Sequence, residues 1–381
     1  MPLFRQSAIF TIFLGLLAGA LALNGCKDES ADFTSGSFYP DMEEPADTSD
    51  TMQSGCWEAP ITIRRASEFN TLFTRFGGGW TGADATYSIP LPDGRQLWLF
   101  GDTFLGTVNA DRSRPPTGLI RNTFVIQDGE ELTTLYTGSP GNASAFAQPQ
   151  EPGWWYWPGH GVTRGDTLEV VLYGFKNEGG GAWGFAYASI DVAKYALPDI
   201  RLLSIERKVL DPKINYGACV LEDDGFYYLY GAEKEGLQKY LHVARVPVAE
   251  GLAGEWAYYD GADWVADPGQ SKRLFANVSE QFSIFRHEGH YYLLTQHHIF
   301  GSQIYIYKAD APTGPFTDPT LVYCTPETGG DIFTYNAFAH TQFLDRGELL
   351  VSYNVNSFEF ADVFANADNY RPYFVWVKGW E

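Results

Sequence analysis

Four carboxylates stand where apolar runs begin or end. Asp84 lies in WTGADATYS, and Asp102 closes LWLFGD. Glu233 follows YLYGA, and Glu280 leads into QFSIF. Two carboxylic groups flanking a glycosidic bond can cleave it, one donating a proton to the leaving oxygen, the other acting as base or nucleophile. The donor must stay protonated near neutral pH, which burial or a neighbouring like charge achieves. Two acids held close also push their titrations apart. Asp84 and Asp102, on one hairpin, are read as the core of such a site. Asp84 is the expected base or nucleophile, Asp102 tunes it, Glu280 is the acid and Glu233 the reserve acid.

Around these acids the sequence places groups suited to a sugar. Aromatic faces stack on the apolar faces of a sugar ring, and amides and imidazoles hydrogen-bond its hydroxyls. Trp80, His160, Tyr216, His298, Tyr335, Asn336, Asn354 and Asn356 are the expected substrate-binding residues. Each also has a plain structural reading. Asp84 could cap a turn, Asp102 could bond loop amides, and the tryptophans could be packing. His340 either ligates a structural cation in a central channel or is a hydrogen-bonded core residue. No cofactor is required. No nucleophile-elbow serine, phosphate-binding glycine loop or His-Glu-x-x-His pattern occurs. A net charge of −21 leaves no basic footprint for nucleic acid.

These residues have to be positioned by strands. The 381-residue chain holds 40 Gly, 23 Tyr, 27 Phe and 11 Trp, a composition of many short strands and tight turns. One hairpin pattern recurs five times: ADATYSIPL-PDG-RQLWLFGDT, GHGVTR-GD-TLEVVLYGF, YGACVLE-DDG-FYYLYGAEK, EQFSIFR-HEG-HYYLLTQHH and AHTQFLD-RG-ELLVSYNVN. The repeats start roughly 55 to 75 residues apart, and each hairpin is followed by a third strand. Most have a candidate fourth, but the fifth has none before the chain ends; residues around Ile61 to Ile63 are the candidate to complete it. Four-stranded antiparallel units repeated radially make a β-propeller, which leaves only short edges. The expected fold is therefore all-β, a five-bladed propeller over residues 57–381, with a single short helix near Arg65 to Phe73. A large β-sandwich is the competitor, but it has no need of one hairpin five times. In a propeller the start of each first strand and the end of each second strand converge on one mouth. Asp84, His160, Tyr216, Glu280 and His340 are all expected there.

The N-terminus has a different character. Arg5 precedes an apolar stretch at 8–23, too short to span a bilayer and ending in Leu23-Asn24-Gly25-Cys26. This looks like a lipobox, so residues 1–25 are read as a lipoprotein signal peptide and Cys26 as the lipidated residue. Residues 26–56 are acidic and poor in apolar side chains, hence a disordered tether. The expected location is the bacterial outer membrane, on its periplasmic or cell-surface face, held by lipid only. Cys56, Cys219 and Cys324 remain, consistent with one disulfide and one buried thiol.

The strings WTGADATYSIPLPDGRQLWLFGDTFLG and YNAFAHTQFLDRGELLVSYNVNS resemble blocks of a bacterial family long known as a domain of unknown function, some members of which are glycoside hydrolases that cut D-arabinan. The resemblance spans most of residues 75–381. It implies a five-bladed propeller like that of the arabinanases and fructosidases, and a site containing Asp84 and Asp102. The Gly-Gly-Asp-Gly expected at the first acid reads Gly82-Ala83-Asp84-Ala85, and His160 stands where blade two is expected to hold an acid. Three function classes follow: a glycoside hydrolase on an extracellular polysaccharide, arabinan-like or another furanoside or pyranoside; a non-catalytic surface glycan-binding lipoprotein; and a polysaccharide lyase. The lyase would need Tyr216, Tyr335 or His298 beside a uronate-binding arginine such as Arg371.

Overall fold

The computed structural model describes residues 56–57, 59–179, 184–236 and 238–381. The signal segment, Cys26 and the tether up to residue 55 lie outside the described residues.

Four of the five predicted hairpins form the inner half of a four-stranded antiparallel blade. In blade 5 the stretch expected as the first strand, AHTQFLD, begins at that strand's last residue and makes the turn that follows it, so His340 stands past the strand's end rather than at its start. Blade 1 comprises Trp80–Pro90, Gln96–Leu105, Thr123–Asp128 and Glu131–Leu135. Blade 2 runs Trp154–Arg164, Thr167–Asn177, Phe185–Ala196 and Arg201–Leu210. Blade 3 runs Ile214–Asp223, Phe226–Glu235, Gln238–Pro247 and a broken fourth strand of Ala257–Tyr259 and Phe275–Ala276, with Trp264–Val265 pairing outside Ala257–Tyr259. Blade 4 is Phe282–His287, His290–Gln296, Gln303–Ala309 and Thr317–Cys324. Blade 5 is Ile332–Ala339, Leu349–Ser357 and Pro372–Lys378, and its outer strand is Thr62–Arg65 from the other end of the domain. Thr62 pairs with Lys378 and Arg65 with Val375, so the ring closes where the sequence had suggested. The short helix forms at Ser67–Leu72.

The five first strands touch their neighbours in cyclic order, blade 5 returning to blade 1. Side chains between adjacent blades form the core. Tyr87, Leu99, Val170, Leu172 and Tyr195 fill the gap between blades 1 and 2. Phe69, Phe73, Trp80, Trp98, Phe100 and Phe374 fill that between blades 5 and 1. A blade is covered on both faces, so its central strands need not alternate, and LWLF and YYLL are apolar without a break. A disulfide joins Cys56, ahead of the closing strand, to Cys324 at the end of blade 4's outer strand (Cα–Cα 6.1 Å). Cys219 is a buried free thiol.

Register slips midway along four of the first strands: between Ala83 and Tyr87 in blade 1, opposite Val170 to Leu172 in blade 2, between Tyr216 and Cys219 in blade 3, and between Tyr335 and Phe338 in blade 5. Such bulges bend a strand and re-aim its side chains.

Candidate active site

The bulge in blade 1 follows Asp84 immediately. Ala85 and Thr86 both take left-handed backbone, at φ 74° and 63°, a costly conformation for a β-branched residue. Partners from two other blades hold it. Asn354 Nδ2 donates to Thr86 Oγ1 (2.9 Å) and Gln281 Nε2 to the Ala85 carbonyl (2.6 Å). The second strand contributes at Gly101. A Cβ there would collide with Asp84 Oδ1 and lie 3.7 Å from Trp157 Cδ1, so the carboxylate rests against bare backbone one residue before Asp102.

The two acids have different surroundings. Asp84 accepts from the Tyr335 hydroxyl (2.8 Å), which itself accepts from Asn356 Nδ2 (3.1 Å). No cation is paired with Asp84 among the described residues. Burial, and next the charge of Asp102, raise its pKa to about 7, against the lowering pull of Tyr335. Asp102 accepts from Trp157 Nε1 at 2.7 Å and from Arg121 at 2.9 Å. Burial raises its pKa, and Arg121 and Trp157 oppose the rise. The Arg121 guanidinium also lies over the Trp155 ring, 4.5 Å from its centroid. Trp155, Trp157, Phe175 and Phe185 form one aromatic cluster beside the acids.

Glu280 is tied to this region through its neighbour, because Gln281 bonds the residue after Asp84. Its carboxylate accepts from the Tyr187 hydroxyl (2.6 Å) and forms an ion pair with the buried Lys239. Burial lowers the Lys239 pKa to about 7.

Other expected members lie elsewhere. Glu233 accepts from Arg273 Nε at 2.5 Å and pairs with His242. Arg273 is the main cause of its pKa falling below the usual carboxylate range, which unfits it as a reserve proton donor. It lines a separate cavity of about 640 Å³ on blade 3 together with Tyr216, and neither Asp84 nor Asp102 is in that wall. Tyr216 is buried, and its hydroxyl is engaged by Ser271 in that cavity. Trp80 is buried against Phe73 and Phe100 and offers no face to a ligand. Asn354 is buried under the bulge as a positioning residue.

His160 and His340 both meet Ser88, well past Asp84 on the first strand, and so lie deeper in the channel than the mouth. His160 Nδ1 accepts from Val220 N–H (3.0 Å), and burial pushes its pKa to about 4. His340 is fully buried, with Ser88 Oγ 2.6 Å from Nδ1 and Ser352 Oγ 2.8 Å from Nε2. Both ring nitrogens are engaged, as in the hydrogen-bonded core reading of this residue. Among the described residues no cluster of three or more His, Cys, Asp or Glu side chains could hold a metal ion.

His298 is exposed, in left-handed backbone beyond the end of its strand at Gln296, and its ring is 4.0 Å from that of His297. The strand does not continue through the pair. Asn336 takes left-handed backbone (φ 58°) in the blade 5 bulge. Arg371 is buried, bonded to Asp368 and stacked on Tyr373, which removes the arginine expected for a lyase. Arg121, Tyr187 and Lys239 carry no signal in the sequence that marks them for this site. Each reaches the site from a strand or loop whose sequence looks like ordinary blade surface.

Among solved structures, the chain is similar to a candidate hydrolase from Bacteroides ovatus ATCC 8483, with 24% identity and a TM-score of 0.75 over 87% of this chain and 94% of that one. An α-L-arabinofuranosidase from Podospora anserina, in complex with cellotriose, matches with 11% identity and a TM-score of 0.46 over 80% of this chain and 92% of that one. A GH43_1 enzyme from Xanthomonas citri matches with 15% identity and a TM-score of 0.45 over 81% and 92%. The Bacteroides likeness agrees with the five-bladed fold. No curated protein matches the sequence. The model of the family described as "Domain of unknown function (DUF5005)" matches residues 66–380, nearly the whole described domain, and the chain belongs to that family.

Proposed function

We propose that the protein is a glycoside hydrolase acting on an extracellular polysaccharide. The observation that carries this reading is the Asp84–Asp102 pair, two neighbouring carboxylic groups in opposed environments. Asp84 has no paired cation among the described residues and a pKa of about 7, which suits the proton donor. Asp102, fixed by Arg121 and Trp157, suits the ionised partner. These roles reverse the sequence-based expectation that Asp84 is the base or nucleophile. Glu280 is ion-paired and thus a poor donor, so its proposed part is to position substrate. The aromatic cluster around Trp155 and Trp157 offers stacking surface. The likeness to D-arabinan-cutting proteins makes D-arabinan the first polymer to try, followed by other furanosides and pyranosides.

A second reading, a non-catalytic glycan-binding protein, is favoured by the cations on Asp102 and Glu280. Reducing-end release and affinity electrophoresis, run in parallel on D-arabinan, L-arabinan, levan and xylan, separate the two. Release of sugar from at least one polymer is expected. Retardation without release would favour the binder, and neither effect on any of them would count against both.

Attachment to the outer membrane through lipid on Cys26 completes the proposal, motivated by the sequence Leu23 to Cys26 and the acidic stretch after it. Cys26→Ala should release the protein into the soluble fraction. A variant still wholly membrane-bound after a high-salt wash would contradict the anchor.

A further inference from the structure

The cavity on blade 3 holds a second constellation that the proposed glycosidase chemistry does not use. Tyr216, Glu233 and His242 come from the blade's first, second and third strands, and Ser271 comes from the loop beyond its outer edge. All four line the cavity. His242 Nδ1 is 2.9 Å from Ser271 Oγ, and Nε2 is 3.2 Å from Glu233 Oε2. The Tyr216 hydroxyl donates to the same Ser271 oxygen at 2.8 Å.

The protons in this network have one consistent arrangement. An ionised carboxylate can only accept, so Nε2 of His242 carries the hydrogen and donates to Glu233. Nδ1 then presents its lone pair, and the Ser271 hydroxyl donates to it. Burial keeps the imidazole neutral at physiological pH, and Arg273 keeps Glu233 ionised. Nucleophile, base and orienting carboxylate are thus in sequence, within hydrogen-bond reach of one another and open to a cavity, the arrangement by which hydrolytic triads are recognised on unrelated folds.

We propose that Ser271, His242 and Glu233 form a second hydrolytic centre, independent of the channel mouth, that cleaves a short O-acyl ester. Ser271 Oγ bonds to the acyl carbon while its proton passes to His242 Nδ1, and the carbonyl π pair moves onto the carbonyl oxygen. Tyr216, whose acceptor is then consumed, donates to that oxyanion. Collapse breaks the bond to the alcohol oxygen, which leaves with the proton held by His242. Water, deprotonated by the same nitrogen, then releases the carboxylic acid and restores Ser271. A single phenolic donor is a modest oxyanion site, which fits an activated ester rather than an amide.

The test needs no glycan. The full chain is treated with diisopropyl fluorophosphate and digested for peptide mass spectrometry, and 4-nitrophenyl acetate hydrolysis is followed separately. The expected result is a phosphoryl adduct on Ser271, with hydrolysis lowered about 100-fold or more in Ser271→Ala. The adduct is read on the unaltered protein, so a folding defect in a variant cannot obscure it. Absence of the adduct on Ser271, or ester hydrolysis unchanged in Ser271→Ala, overturns the proposal.

Discussion

Asp84 owes its high pKa to enclosure and to the negative charge of Asp102, and Tyr335 restrains it. The Tyr335 hydroxyl donates to the carboxylate and so favours the ionised form. Tyr335→Phe removes that donor, and the pKa of Asp84 should rise above about 7. A proton donor works only below its pKa, so activity is lost as pH climbs through it. The alkaline limb of kcat/KM should therefore move to higher pH in Tyr335→Phe, by roughly half to one pH unit for one hydrogen bond. A limb that stays put, or moves to lower pH, would contradict Asp84 as donor. The acids of blade 1 were legible because a carboxylate closing LWLFGD has no local means of solvation and demands an explanation. Their partners were not, since Arg121, Trp157 and Tyr335 lie 19, 55 and 251 residues from the acids they contact. Glu233 and Tyr216 have surroundings that were not legible for another reason. They hold blade positions analogous to those in blade 1, but the loop carrying Ser271 and Arg273 folds over them and makes a separate cavity.

Individual strands matter through their irregularities. A regular first strand in blade 1 would alternate past Asp84; two left-handed residues instead interrupt the pleat. Each costs about 1–3 kcal/mol and persists only where its surroundings compel it. Asn354 and Gln281 supply that compulsion. Asn354→Ala should lower stability by about 1–3 kcal/mol in denaturant titration, the cost of leaving buried Thr86 without its partner. It should also reduce turnover at least about tenfold, because Asp84 loses its aim. Lost stability with undiminished turnover would make Asn354 a purely structural residue. The hairpins themselves were readable from apolar runs parted by PDG, DDG and HEG. The bulges were not, since Ala85-Thr86 contains no glycine to announce positive φ.

Closure of the ring is the feature on which the whole site depends, because Asp84 belongs to blade 1 while Tyr335 and Asn354 belong to blade 5. The join is made by Thr62–Arg65 against Pro372–Lys378, with the Cys56–Cys324 link beside it. It was legible only through a missing strand: five hairpins ending without a fourth strand in the last blade imply that the N-terminal side supplies it. With the ring shut, a polysaccharide would meet both acids at one mouth, and the proposed hydrolysis requires that this pair does the chemistry. The most direct measurement is initial-rate turnover of Asp84→Asn and Asp102→Asn beside the unaltered protein, on whichever polymer the unaltered protein cleaves, with binding followed on the same polymer. An amide keeps the shape of each side chain and removes its acid–base function. Each variant is expected to lose about 10²–10⁴-fold in turnover while still binding the polymer. Turnover within a few-fold of the unaltered protein in Asp84→Asn would contradict the assignment.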